Sequence, residues 1–103
     1  MNENVEYVKR VLPCEVRFTQ LAEEATELAQ AALKMFRILD GRNPTPVTPE
    51  EGMANLYEEI SDVLGALRAL DLTGPQQATG YAAISSNKFE RWVGRLKEKY
   101  GEE

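Results

Sequence analysis

The sequence predicts an all-α fold: a bundle of three long helices plus a short N-terminal helix, completed by oligomerisation. Apolar residues recur at intervals of three and four over three long segments. No segment has the alternating β-branched pattern that is typical of a strand. Because two separate cores in 103 residues would each be too small for stability, a single domain over residues 1–103 is predicted.

The first two predicted helices are bounded by proline and glycine. Residues 4–12 form the short helix, which ends at Pro13 because proline cannot continue it. A long amphipathic helix follows over residues 13–39, with strong helix formers between its apolar positions. It ends near Gly41, and two prolines shortly after that glycine indicate a loop.

The second long helix begins with a strong local signal. Thr48 is predicted as its N-cap, Pro49 lies in its first turn and Glu51 completes a capping box. The helical period of apolar residues continues to about Leu72, where the run Thr-Gly-Pro interrupts it.

A third long helix is predicted between residues 76 and 100, most clearly over residues 87–99, because Gly80 has a low helix propensity. This helix and the preceding one carry apolar residues over a broad arc. Such an arc is typical of a self-associating surface, so a homo-oligomer, a dimer or a tetramer, is predicted.

Composition limits the class of partner. The chain has 12 Lys and Arg against 17 Asp and Glu and a net charge of -5, which argues against binding a nucleic acid polymer through its phosphates. Its apolar runs are too short for a membrane span, and charged residues interrupt residues 1–11, where a signal peptide needs an apolar segment. A cytoplasmic protein without a membrane partner is therefore predicted.

The chain has no histidine and one cysteine, Cys14. This composition excludes Cys/His zinc sites and nucleophiles that are activated by histidine. Any metal must be held by carboxylates, which favours Mg²⁺, with Mn²⁺ as the second possibility.

Two pairs of acids at i, i+3 spacing lie beside the apolar positions of consecutive helices: Glu24 with Glu27, and Glu59 with Asp62. Glu24 and Glu59 lie at the edge of the apolar arc of their helices, and their partners lie one step further out. If the helices pack antiparallel as neighbours, the four carboxylates converge into a cage for one or two divalent cations. The alternative is that the acids belong to solvated faces, since roughly three such pairs are expected by chance from this composition.

Both acid pairs belong to longer motifs. The run Glu-Glu-x-x-Glu-Leu begins at Glu23, and the run Glu-Glu-x-x-Asp-Val begins at Glu58. Together these runs resemble the MazG-like family of all-α nucleoside triphosphate pyrophosphohydrolases, over residues 19–96. The spacer between the two motifs, enlarged by residues 41–47, is long for that family.

The resemblance implies Mg²⁺-dependent hydrolysis of a (deoxy)nucleoside triphosphate between the α and β phosphates, giving the monophosphate and pyrophosphate. By motif match, the catalytic residues and metal ligands would be Glu24, Glu27, Glu59 and Asp62. Because the chain lacks histidine, the general base must be one of these acids or a neighbouring one, such as the first glutamate of either motif. A non-catalytic helical interaction module and a family member that binds nucleotide without hydrolysing it are the competing interpretations.

Further side chains are candidates for substrate binding. Lys88 and Arg91, where related proteins also carry basic residues, can bind phosphates, although both can equally be ordinary exposed cations. Lys34 lies one heptad beyond Glu27 and is a weaker candidate, for which a surface charge is the other interpretation. Trp92 and Tyr57 can stack on a base, but at their helical positions each is more often a core or interface residue.

Overall fold

The computed structural model describes residues 3–101, which form four α-helices and no strand. Helix α1 spans Glu3–Val11, α2 spans Cys14–Asp40, α3 spans Pro49–Arg68 and α4 spans Pro75–Tyr100. The all-α prediction is confirmed, and so is each of the four predicted helices. Within the described residues, no helix combines the length and apolar character that a membrane span requires.

Local signals set most of the helix ends. Gly41 adopts a left-handed conformation with φ of 75° and donates its N–H to the carbonyl of Arg37, which ends α2. At the start of α3, the hydroxyl oxygen of Thr48 accepts the backbone N–H of Glu51 at 3.1 Å. The carboxylate of Glu51 accepts the backbone N–H of Thr48 in return, so the predicted capping box is confirmed.

One predicted helix end is wrong. Helix α3 ends at Arg68 rather than near Leu72, because a turn follows in which Asp71 takes a positive φ of 59°. That turn is held by side chains distant in sequence: Arg17 donates to the carbonyl of Ala69 at 2.6 Å, and the ammonium of Lys9 lies 2.8 Å from a carboxylate oxygen of Asp71.

Helix α4 begins at Pro75, one residue before the predicted segment, so the part that the sequence predicts less clearly than residues 87–99 is helical as well. Proline suits the first turn of a helix, because the N–H that it lacks would be unpaired there in any case. The glycine and serines that weaken the pattern are accommodated inside the helix, since propensity is only a small energy per residue.

The chain divides into two compact units, Met1–Leu72 and Thr73–Glu103. In the first unit, α2 and α3 pack along each other. They are antiparallel, because Arg17 near the start of α2 meets Ala69 just after α3, whereas Met35 and Ile38 near the end of α2 meet Gly52 at the start of α3. The second unit consists of α4, whose apolar side chains, including the stacked rings of Phe89 and Trp92, are exposed.

The contact between α2 and α3 follows a regular stripe on each helix, here called the seam. Its positions are spaced by four and three residues, as in a coiled coil, and all are buried or half-buried. On α2 the seam comprises Glu24, Leu28, Ala31, Met35 and Ile38; on α3 it comprises Gly52, Leu56, Glu59, Val63 and Ala66.

Gly52 allows the two helices to approach closely. A Cβ atom at this position would lie 2.6 Å from Sδ of Met35 and 2.7 Å from Cδ1 of Ile38. The Gly52→Val substitution is therefore expected to lower the free energy of unfolding by about 1–3 kcal/mol through overpacking. Urea unfolding of the purified protein measures this change.

The matched control is Gly65→Val on the same helix, where a Cβ atom would meet nothing within 4 Å. This variant is expected to keep or slightly raise stability, because valine has a better helix propensity than glycine. Equal effects of the two substitutions would contradict the close approach at Gly52.

Candidate metal centre and adjoining cleft

The seam brings together the four acids of the two motifs. One carboxylate oxygen from each of Glu24, Glu27, Glu59 and Asp62 lies within 4.8 Å of the others. The i, i+3 spacing places each pair on one helix face, and the antiparallel packing of α2 and α3 places the two faces opposite each other. The geometric prediction that these carboxylates converge is confirmed.

Glu24 and Glu59 lie deeper than the sequence predicts. They occupy seam positions and are half-buried, whereas Glu27 and Asp62, one step further out, are exposed. A coiled-coil-like seam normally has apolar residues at such positions. The two acids are therefore not part of a solvated helix face, although their outer partners are open to solvent.

One oxygen of each inner acid has no hydrogen-bond partner among the described residues. The Oε2 atoms of Glu24 and Glu59 are inaccessible to solvent and accept no hydrogen bond from residues 3–101. A carboxylate oxygen in this situation has lost its hydration without compensation, which is costly unless a proton or a cation is present. The donor set consists of carboxylates alone, which suits a hard divalent cation such as Mg²⁺ or Mn²⁺.

The electrostatic surroundings of Glu24 also favour a proton or a cation at this carboxylate. Burial, followed by repulsion from Glu27 and Asp62, raises the pKa of the Glu24 carboxyl above its usual value. The amide of Gln20 donates to Oε1 of Glu24 at 2.8 Å, which partly opposes this rise in pKa. The same hydrogen bond fixes the orientation of the carboxylate, as outer partners of metal ligands do.

A polar cleft of about 690 Å³ adjoins the carboxylates. Two of the four acids, Glu27 and Glu59, line it, and it also contains two cationic side chains from α2 and one amide from α3. In full, its lining comprises Glu27, Gln30, Ala31, Leu33, Lys34, Arg37, Asn55 and Glu59. This set of residues is called the polar cleft below.

The polar cleft contains residues that sequence analysis missed or gave little weight. The sequence alone favours a surface charge for Lys34, but this residue is half-buried and lines the cleft. Arg37 and Asn55 also line the cleft, and the sequence alone does not identify them as site residues. A signal for them exists in the spacing, because Lys34 and Arg37 continue the face of Glu27 along α2, and Asn55 lies one turn before Glu59.

Lys88 and Arg91 lie on α4, in the second unit. Lys88 lines a shallow, mainly apolar groove along this helix, together with Tyr81, Ile84, Ser85, Phe89, Trp92 and Arg95. Trp92 and, on α3, Tyr57 are exposed rather than part of a core of the described chain. A role of Lys88 and Arg91 toward phosphates stays a prediction.

Comparison with known proteins gives no match to a family model, to a curated protein or to a solved structure. The resemblance of the two acidic motifs to the MazG-like family therefore stays a prediction.

Proposed function

We propose that this protein is a Mg²⁺-dependent nucleoside triphosphate pyrophosphohydrolase of the MazG-like type, with Mn²⁺ as an alternative cation. The observation that carries the proposal is the pair of seam acids, Glu24 and Glu59, each with one solvent-inaccessible oxygen that has no partner among residues 3–101. Both lie within 4.8 Å of two more carboxylates. An apolar pair would pack more favourably in the seam, so the acids are best explained by a ligand.

In the proposed reaction, water attacks the α-phosphorus, the bond from that phosphorus to the bridging oxygen breaks, and pyrophosphate leaves with the bonding electron pair. Glu24, Glu27, Glu59 and Asp62 would hold the cation, which when bound neutralises phosphate charge and makes water more acidic. The proton of the attacking water passes to a carboxylate, because the chain has no histidine.

The charge of the chain is consistent with this chemistry. A protein with a net charge of -5 repels a polyanionic substrate unless cations lie between them. The carboxylate cluster supplies a place for such cations at the point where the phosphates must react. For Lys88 and Arg91, on α4, a phosphate-binding role is also proposed.

The proposal includes a homo-oligomer, a dimer or a tetramer, in which the helices complete a bundle. Few apolar residues of the described chain are fully buried, and large ones remain exposed on α2 and α4, among them Leu33, Phe36 and Trp92. Burying such residues between copies gives the chain the core that one copy lacks. Light scattering coupled to size-exclusion chromatography is expected to give a mass of at least twice 11.6 kDa.

A panel of canonical and modified nucleoside triphosphates tests the activity. The purified protein with Mg²⁺ is expected to release pyrophosphate and a monophosphate from at least one of them, and no product when the metal is chelated. Orthophosphate as the only product would contradict the proposed bond cleavage. Nucleotide binding without turnover would instead identify a non-catalytic nucleotide-binding module.

A further inference from the structure

We infer that Lys34 and Arg37 form a polyphosphate-binding subsite in the polar cleft, which holds the pyrophosphate portion of the substrate while its reacting end lies at the carboxylates. The inference rests on the proposed function and deepens it, because it assigns the residues that recognise the leaving group. Three observations support it: the charges of the residues that line the cleft, the lack of ion pairs of its two cations among residues 3–101, and the spacing of these residues along α2.

Neither cation of the subsite is paired within the described part of the chain. Lys34 and Arg37 line the same cleft as Glu27 and Glu59, yet among residues 3–101 neither cation forms an ion pair within 4.0 Å or a side-chain hydrogen bond. Lys34 is also half-buried, which places part of its side chain against the lining of the cleft.

Four residues of the polar cleft lie in a row along α2. Glu27, Gln30, Lys34 and Arg37 are spaced by three, four and three residues, so they lie along one face of α2. With a rise of about 1.5 Å per residue, Lys34 lies about 10 Å and Arg37 about 15 Å along the helix from Glu27. Both have long side chains that can reach back along the cleft. An elongated anion that starts at the carboxylates therefore meets a cation at its far end.

The side chains that line the polar cleft are suited to binding phosphate groups. A guanidinium contacts two phosphate oxygens at once, whereas an ammonium acts as a compact point charge. The amides of Gln30 and Asn55 line the same cleft and add neutral hydrogen-bond donors. This combination suits a chain of phosphates better than a single carboxylate ligand or an apolar molecule.

The consequence for catalysis is specificity for the length of the phosphate chain. As the bond to the α-phosphorus breaks, negative charge accumulates on the departing pyrophosphate, and cations placed there stabilise the transition state more than the ground state. A triphosphate engages both the carboxylate cluster and the subsite, whereas a monophosphate is too short to engage both. Triphosphates are therefore expected to be the preferred substrates, and monophosphates weak ligands.

Calorimetric titration with inorganic tripolyphosphate and Mg²⁺ tests the subsite directly. Relative to the unmodified protein, Lys34→Gln and Arg37→Gln are each expected to weaken binding about 10-fold, and the double variant about 100-fold. Arg68→Gln, an exposed cation near the end of α3 and outside the polar cleft, is the matched control and is expected to leave binding unchanged. Glutamine retains the helix propensity of these positions, and circular dichroism verifies the fold.

Two further readouts separate this inference from the proposed function. Mn²⁺ binding without polyphosphate is expected to change less than about twofold in the double variant, because the metal ligands are intact. Tripolyphosphate binding as tight in the double variant as in the unmodified protein would overturn the subsite, even if the protein hydrolyses nucleotides. Conversely, the expected loss of binding in a protein that hydrolyses no nucleotide would support the subsite and contradict the proposed activity.

Discussion

Replacing Glu59 by Gln is expected to abolish Mg²⁺-dependent pyrophosphate release while leaving the helices intact. The substitution removes one charge from the cluster but keeps the shape of the side chain, so packing at the seam changes little. Loss of an outer partner of a metal ligand typically costs about 10- to 100-fold, so loss of a ligand is expected to lower kcat/KM by about 100-fold or more. Steady-state pyrophosphate release with the preferred triphosphate measures the effect.

The control is Glu50→Gln, which removes an exposed carboxylate in the first turn of the same helix, outside the cluster. This variant is expected to retain its turnover. If Glu59→Gln also retains the turnover of the unmodified protein, the carboxylate cluster is not the catalytic site. Loss of helicity in Glu59→Gln would be seen by circular dichroism, so a folding defect is distinguishable from loss of a ligand.

Divalent cations are expected to stabilise the protein strongly, and Glu24→Gln to remove that effect. A cation that binds only the folded state stabilises it by about 2.7 kcal/mol at a concentration one hundred times its Kd. For a chain of this size, that corresponds to roughly 10–20 °C in Tm. Thermal unfolding of the unmodified protein with Mn²⁺ or with a chelator measures the difference, and the variant is expected to show little or none.

Without metal, Glu24→Gln is expected to have the opposite effect and to raise the free energy of unfolding at neutral pH. Burial and the neighbouring carboxylates raise the pKa of Glu24 in the folded protein. Between the usual pKa of glutamate, about 4.3, and the raised value, the folded state therefore binds more protons than the unfolded chain. The contribution of this group to stability is therefore present at low pH and lost as the pH rises through the raised value. Glu24→Gln removes this part of the pH dependence.

Glu23→Gln is the matched control for stability, because Glu23 is the adjacent, exposed acid outside the cluster. It is expected to keep both the stabilisation by Mn²⁺ and the pH dependence of the metal-free protein. A Tm of the unmodified protein that does not respond to divalent cations over millimolar concentrations would contradict a metal centre at these four residues.

Sequence reasoning succeeded where structure depends on neighbouring residues. The capping box at Thr48 and the left-handed glycine at position 41 act over three or four residues, and the helices begin or end where these signals predict. It failed at the end of α3, where Arg17 and Lys9 hold the turn through contacts across more than 50 residues. No local pattern reports such contacts.

One part of the candidate site can likewise be predicted from local sequence, and the other part cannot. The sequence identifies the four acids, because their spacing and motifs are local, and their convergence follows once α2 and α3 pack antiparallel. The polar cleft could not be predicted with equal clarity. Lys34 and Arg37 look like ordinary surface cations until the packing of α2 on α3 places Asn55 and Glu59 opposite them.

By itself, the sequence determined that this chain is all-α, where most of its helices begin and end, and which carboxylates are available for a hard cation. Only the tertiary structure decided which face of α2 packs against α3. The apolar residues of that helix include Leu33 and Phe36, yet these two remain 60% and 58% exposed, while Ala31 and Met35 are buried against α3. Small residues let the two backbones approach, and the register that this approach sets carries Glu24 and Glu59 into the seam.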